Sequence, residues 1–138
     1  FEDAGKAIIA SCKRYSVRNG NIETNGIGKA IFEQVRKSGI KCSPFITTQD
    51  SKLTAVRALI QDIENQVLEL PSKDLFPHLY NELSAYTYKT SANDKLSFSH
   101  PNGFKDDCVD SLWLANQSRN NNLGGAKSKL YIGNTAKY

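Results

Sequence analysis

The chain has 138 residues, 39% of them hydrophobic, and a net charge of +4 at neutral pH, which predicts one domain with a hydrophobic core and is compatible with a polyanion such as nucleic acid as a partner. No stretch approaches the ~18 consecutive apolar residues of a membrane span, and no basic region followed by an apolar stretch marks a secretion signal. We therefore expect a soluble, cytosolic protein that is not secreted and has no membrane partner.

The first third of the chain alternates between helix and strand patterns. Apolar residues at helical spacing predict a helix over about 2–15, and polar turn residues follow it. The segment 21–26 is a short strand candidate, 28–37 is a helix closed by a glycine, and 40–46 is a second strand. Because the chain opens inside a helical pattern and has no initiator methionine, we expect it to be a piece of a longer protein.

The middle of the chain carries the clearest helical pattern, for which Ser51 is the expected N-cap. A further helix is expected to begin near 73–76, because Pro77 is tolerated only in a first turn. The segments 86–90 and 96–99 read as a small hairpin. The apolar stripe of the first of these helices steps by three and four residues and consists of Leu53, Val56, Ile60, Ile63 and Val67.

The stretch HPNGFKDDCVDSLWLANQ, residues 100–117, predicts a helix that opens on acidic residues and continues with apolar ones. After it the sequence is rich in asparagine and glycine and too polar to pack. We therefore divide the chain into a domain over 1–118 and a polar C-terminal tail over 119–138. Strands that alternate with helices predict the α/β class, with a mainly parallel sheet covered by helices.

The acidic residues at the start of the last helix admit two interpretations. Carboxylates in a first turn are each favourable by about 0.3–1 kcal/mol, which accounts for Asp106 and Asp107 without any function. Asp110 adds a third acid to nearly the same face, where like charges repel, and Glu23 ends a predicted strand. A hard divalent cation such as Mg²⁺ or Mn²⁺ would reconcile such a cluster, and two ions about 3.5–4 Å apart hydrolyse phosphodiesters.

Three segments together resemble a known family. They are ETNGIGKAIFEQ at 23–34, PFITT followed by SK at 44–52, and GFKDDCVDSL at 103–112. In this order they resemble the C-terminal nuclease domain of the large terminase subunit of tailed bacteriophages, over most of residues 7–117. The resemblance implies a ribonuclease H-like fold, with a mixed or parallel sheet flanked by helices, that lacks its first strands in this chain. It also implies a two-metal endonuclease that cuts concatemeric double-stranded viral DNA during packaging.

The resemblance assigns catalysis and metal binding to Glu23, Asp106 and Asp107, whose carboxyl groups are expected to converge. The metal would be Mg²⁺ or Mn²⁺. One further metal-binding aspartate of the family lies on a first strand, and nothing in residues 1–22 matches it, so this chain alone is expected to be inactive. Partners implied by the resemblance are double-stranded DNA, the terminase ATPase domain, the small terminase subunit and the portal, in the cytoplasm of an infected bacterial host or encoded by a prophage.

Other residues are expected around these carboxylates. Asp110, Lys105 and Asn25 would support the site without binding the metal themselves. Lys105 stands where the family often has histidine, and it would either lower the pKa of the neighbouring aspartate or contact a phosphate. Lys52 and Arg57 would follow a DNA backbone, or else form a solvated helix face. Two other functions stay open: another ribonuclease H-like nuclease of the resolvase or integrase type, and a catalytically incomplete module that binds DNA or the portal.

Overall fold

The structure is a computed structural model, and residues 2–90, 96–103, 105–122 and 130–131 are described here. These residues form a mixed α/β fold of helices and short strands, which confirms the predicted class. In chain order the elements are α1 (Glu2–Arg14), β1 (Gly20–Glu23), α2 (Gly28–Lys37), β2 (Cys42–Phe45), α3 (Gln49–Glu64), β3 (Leu68–Glu69), α4 (Pro77–Ala85), β4 (Thr87–Thr90), β5 (Leu96–Ser99), α5 (Asp107–Asn122) and β6 (Leu130–Tyr131).

The described strands pair in twos. β1 and β2 are parallel, in a register that joins Gly20 to Cys42 and Glu23 to Phe45. β4 and β5 form the antiparallel hairpin expected from the sequence, whose turn at 91–95 lies outside the described residues. β3 and β6 are parallel. The single flanked sheet expected from the resemblance is therefore not what the described strands form, since hydrogen bonds join each strand to one neighbour only.

The hydrophobic core lies around α5. Val109 and Trp113 are each 1% exposed and belong to one buried cluster with residues of α3 and α4, two helices that pack on α5. The ring of Phe45, at the end of β2, lies 5.3 Å from the ring of Trp113, which joins the parallel pair to this core. None of the described helices is long and apolar enough to cross a membrane. The buried core residues are Ala55, Val56, Leu59, Leu68, Leu79, Val109, Leu112 and Trp113.

Helix boundaries show where local chemistry differs from the sequence pattern. The helices predicted over 2–15 and 28–37 are confirmed as α1 and α2. The N-cap of α3 is Thr48, not Ser51, so that prediction was wrong. Thr48 Oγ1 accepts a hydrogen bond from the Ser51 amide at 3.1 Å, and Ser51 Oγ accepts one from the Thr48 amide at 2.8 Å. Both residues thus form a capping box that starts the helix earlier.

The last helix continues past the predicted start of the tail. α5 extends to Asn122 because Asp62 of α3 supplies an acceptor for its polar side chains. Asp62 Oδ2 accepts from Asn116 Nδ2 at 2.8 Å, from an Arg119 guanidinium nitrogen at 2.6 Å and from Asn120 Nδ2 at 3.2 Å. Polar residues therefore pack here, against the expectation for 119–122. β6 also pairs with β3, while residues 123–129 and 132–138 of the predicted tail lie outside the described residues.

Candidate active site

The predicted acidic residues lie at one edge of the fold. Glu23 ends β1 and pairs in register with Phe45 at the end of β2. Phe45 packs against Trp113, and the indole Nε1 of Trp113 donates a hydrogen bond to Asp110 Oδ1 at 2.8 Å. These three contacts connect the carboxyl ends of both parallel strands to the first turn of α5. Polar groups from strand ends and from a helix start are thus brought to the same side of the molecule, as in other α/β folds.

Asn25 joins the loops that follow the two strands. Its Nδ2 donates to the carbonyl oxygen of Thr47 at 2.8 Å, and its Oδ1 accepts from the Thr47 amide at 2.9 Å. The amide of Thr24 also donates to the Phe45 carbonyl oxygen at 2.8 Å. Asn25 thus fixes the two loops to each other, and its supporting role at a metal site stays a prediction.

The turn after Glu23 depends on two glycines. Gly26 has a φ of +54°, a conformation that L side chains rarely adopt. A Cβ on Gly28 would lie 2.0 Å from the carbonyl oxygen of Glu23, so the start of α2 can approach the end of β1 only without a side chain there. The exposed Glu23 side chain is therefore presented from a tightly packed backbone.

Lys52 of α3 lies between two of the aspartates. Its Nζ is 3.3 Å from Asp106 Oδ2, 2.9 Å from Asp110 Oδ1 and 5.7 Å from the centroid of the Tyr86 ring. Burial alone would lower the pKa of Lys52, but the hydrogen bond and charge of Asp110, with Tyr86 and Asp106, raise that pKa above its usual value. The ammonium is thus held charged, and its side chain is only 19% exposed.

This position corrects the sequence interpretation of the nearby basic residues. Lys52 is neither on a solvated face nor extended towards a DNA backbone, because two carboxylates bind its ammonium. The cation beside Asp106 is Lys52, while Lys105 is exposed. Arg57 is exposed as well, and its phosphate contact stays a prediction.

The second oxygen of Asp106 faces a histidine. His100 Nε2 lies 3.5 Å from Asp106 Oδ1, and His100 Nδ1 lies 2.9 Å from the Pro101 carbonyl oxygen. A carbonyl oxygen only accepts, so Nδ1 carries the hydrogen, and Nε2 can donate to Asp106 only in the imidazolium form. Both oxygens of Asp106 therefore face basic side chains.

Two backbone amides at the start of α5, which have no acceptor within the helix, donate hydrogen bonds to a residue of another helix. Glu82 Oε2, from α4, accepts from the Cys108 amide at 2.7 Å and from the Val109 amide at 3.2 Å. Neither Asp106 nor Asp107 is needed for this cap. The exposed Asp107 lies beside an open, mostly apolar groove of about 420 Å³. The other residues that line the groove are Pro71, Phe76, Leu79, Cys108, Ser111 and Leu112.

The predicted convergence of carboxylates is not present in the described part of the chain. Among these residues, no three His, Cys, Asp or Glu side chains lie together as a metal site requires. Glu23, Asp106 and Asp107 are donors of the type that Mg²⁺ prefers, and they share one edge, but they do not form a gathered ligand set. The oxygen donors of these three side chains suit a hard cation, but the positions of the side chains do not form a binding site for one.

Sequence reasoning missed three contributors to this region: Lys52 as the partner of the aspartates, Tyr86 beside it, and Glu82 as the cap. Lys52 lies 54 and 58 residues from its two partners, and Glu82 lies 26 residues from Cys108. No local spacing signals such pairs.

In fold, the chain is similar to the nuclease domains of phage large terminases. It matches crystal structures of the large terminase nuclease from thermophilic phage G20c with bound cobalt and with bound magnesium, at 25% and 23% identity. Both comparisons have a TM-score of 0.70 and cover 83% of this chain and 60% of the solved chain. No protein-family model and no curated protein sequence matches the chain. The resemblance found in the sequence is thereby confirmed, and the chain spans 60% of the length of those solved structures.

Proposed function

We propose that the chain is the nuclease part of a phage large terminase subunit and contributes to metal-dependent cleavage of concatemeric double-stranded DNA during genome packaging. The observation that carries this proposal is the similarity in fold to a terminase nuclease that binds cobalt and magnesium. The oxygen donors of the acidic residues at the end of β1 and at the start of α5 are of the type that hard divalent cations bind, which supports it. The fold itself would be ribonuclease H-like.

Glu23, Asp106 and Asp107 are the proposed metal-binding and catalytic carboxylates. Their oxygens suit Mg²⁺ or Mn²⁺, and two such ions, when bound, would activate a water and stabilise the leaving oxygen of a phosphodiester. Glu23 and Asp107 are exposed, so these two are accessible to a cation and to DNA. Asp106 is already in contact with Lys52, and its role is developed below.

DNA would be bound mainly through its phosphates. The net charge of +4 favours a polyanion, and exposed basic side chains such as Arg57 and Lys105 are candidates for phosphate contacts. Binding should then weaken steeply as salt is added. The ATPase domain, the small terminase subunit and the portal are the proposed protein partners, in the cytoplasm of the bacterial host.

Plasmid nicking tests this function. The chain is incubated with supercoiled DNA and Mg²⁺, Mn²⁺ or Co²⁺, alongside Asp107→Asn and, as a matched control, Glu64→Gln. Asp107 is the informative target because it is exposed and outside the Lys52 contacts, so its loss should not disturb the fold. We expect Asp107→Asn to lose at least about 100-fold in rate. Equal cutting by the chain and Asp107→Asn would contradict the site, and the absence of cutting with any metal, both by this chain and by a version extended upstream, would contradict the enzyme.

A second function is favoured by one observation. Both oxygens of Asp106 face basic side chains of the protein, Lys52 and His100, which is how a structural carboxylate is commonly satisfied. We therefore also propose, as the alternative, a catalytically incomplete module that binds DNA or the portal. It predicts salt-sensitive DNA binding without cleavage, whereas a resolvase-type nuclease would prefer branched DNA over a plain duplex.

A further inference from the structure

Lys52 occupies a position between two acidic side chains that are one helical turn apart. Asp110 lies in the first turn of α5 and Asp106 directly precedes that helix, while Lys52 comes from α3, so the contact joins α3 to the start of α5. We propose that Lys52 is a positioning residue: its ammonium acts as a fixed internal cation that keeps Asp110 from binding a divalent ion and sets the orientation of Asp106.

Both carboxylate oxygens of Asp110 are bound by donors of the protein. Lys52 Nζ lies 2.9 Å from its Oδ1 and 3.0 Å from its Oδ2, and the Trp113 indole donates to Oδ1 at 2.8 Å. Two donors therefore bind one carboxylate from different sides. An ion could bind Asp110 only by displacing the Lys52 ammonium, so Asp110 pairs with Lys52 and is not a metal ligand.

Asp106 is bound less tightly than Asp110. Lys52 Nζ is 3.3 Å from Asp106 Oδ2, whereas Oδ1 has a longer contact of 3.5 Å with His100. The lysine thus fixes one oxygen and directs the other away from Asp110. The same charge offsets the repulsion between two carboxylates spaced four residues apart on a helix.

An aromatic pair holds the lysine in place. Lys52 Nζ lies 5.7 Å from the centroid of the Tyr86 ring, within the range of a cation–π contact. The Tyr86 ring stacks on Phe98 with 6.1 Å between centroids and 4° between planes. With 19% of its side chain exposed, Lys52 would have to leave both carboxylates and this ring to contact a DNA phosphate.

This role rests on the proposed function in one respect, since orienting Asp106 matters for cleavage only if Asp106 serves the nuclease. The test therefore begins with measurements that need no cleavage. Lys52→Met, Asp110→Asn, the double variant and Lys52→Arg are compared with the unchanged chain, and Lys37→Met is the control at an exposed lysine of α2. Asparagine at 110 can still accept from the Trp113 indole, so it removes charge without removing that bond.

In metal-free thermal unfolding, we expect Lys52→Met to lower the Tm by roughly 5–10 °C and the double variant to recover at least half of that loss. In calorimetry, Lys52→Met should bind one more Mn²⁺ per chain than the unchanged protein, because an ion replaces the ammonium. The double variant and Lys52→Arg should not bind the additional ion. If Lys52→Met does not fold, the role is judged on Lys52→Arg and the double variant, which must match the unchanged protein in Mn²⁺ stoichiometry.

Cleavage provides the last readout. If the chain cuts DNA, Lys52→Met should lower kcat on the order of 10- to 100-fold with little change in KM, and the double variant should recover part of that kcat. A raised KM with unchanged kcat would overturn the role, because it would mark Lys52 as a phosphate contact. An unchanged Tm and no additional ion in Lys52→Met would overturn it even where the chain is an active nuclease. The expected Tm and Mn²⁺ results would uphold it even where no DNA is cut.

Discussion

Replacing Asp62 by alanine removes the acceptor that α5 uses to pack on α3. One oxygen, Asp62 Oδ2, accepts from Asn116, Arg119 and Asn120, and this contact lies on the same helix pair that brings Lys52 to the acidic turn. Asn116 is 1% exposed, so its amide cannot turn to water once the carboxylate is gone. We expect Asp62→Ala to be among the more destabilising changes in the chain.

The magnitude follows from the groups involved. A buried amide that loses its acceptor costs about 1–3 kcal/mol, and the hydrogen bond from the Arg119 guanidinium to the carboxylate contributes about 1.5–3 kcal/mol. These terms overlap, because both act through one oxygen, so we expect a loss of about 3 kcal/mol in the free energy of unfolding. For a chain of this length that corresponds to a decrease in Tm of roughly 10 °C.

Thermal and urea unfolding, followed by circular dichroism, would measure this loss. Asp62→Asn keeps one acceptor oxygen and should lie between the unchanged chain and Asp62→Ala. Glu64→Ala removes an exposed carboxylate from the same helix and should change stability by less than about 0.5 kcal/mol. An effect of Asp62→Ala as small as that of Glu64→Ala would refute the reasoning that this contact fixes α3 to α5.

Two further predictions follow. Burial alone would raise the pKa of Asp62, but hydrogen bonds from Asn116 and Asn120 and the charge of Arg119 lower that pKa below 3.8. As the pH falls, Asp62 therefore takes up a proton in the unfolded chain before it does so in the folded chain. The stabilisation is present above about pH 4 and is lost as the pH falls through the pKa of the folded state. Urea unfolding at about pH 5 and pH 3 should therefore show a larger loss for the unchanged chain than for Asp62→Asn. Glu82→Ala should lower the free energy of unfolding by about 1 kcal/mol because it removes the cap of α5, and Glu82→Gln should lower it less. Chemical denaturation would measure both losses. Equal stability of both variants and the unchanged chain would exclude the cap.

The elements that could be predicted are those whose cause is local. The glycine after α2 acts within a few residues, so that helix is found where the pattern placed it. The stripe on α3 is confirmed only in part: Val56 is buried, but Ile60 is 39% exposed and Val67 lies beyond the end of the helix. The start of α3 was misplaced because Thr48 and Ser51 both have capping side chains, and only their mutual hydrogen bonds decide which one is the N-cap. The two-residue strands β3 and β6 are too short to leave a period in the sequence.

The acids chosen for the candidate site stay a prediction, and in the described part of the chain they do not converge as expected. The acids at 23, 106 and 107 can be selected from the sequence as carboxylates at a strand end and a helix start, although a helix start also favours acids that have no function. Their partners could not be selected, because Lys52 reaches Asp106 and Asp110 across the packing of α3 on α5. The sequence predicts a tail at the polar end of α5 for the same reason: Asp62, which accepts the hydrogen bonds of these polar side chains, lies on another helix.

The reciprocal pair between Asn25 and Thr47 continues the hydrogen-bond ladder of β1 and β2 beyond the last paired residues, with an amide side chain in place of a peptide group. A ladder bond made by the main chain is available to almost any residue, but this one depends on the identity of a single side chain. One substitution at Asn25 would therefore remove or restore the hydrogen bonds that join the ends of the parallel pair, without altering the backbone of either strand.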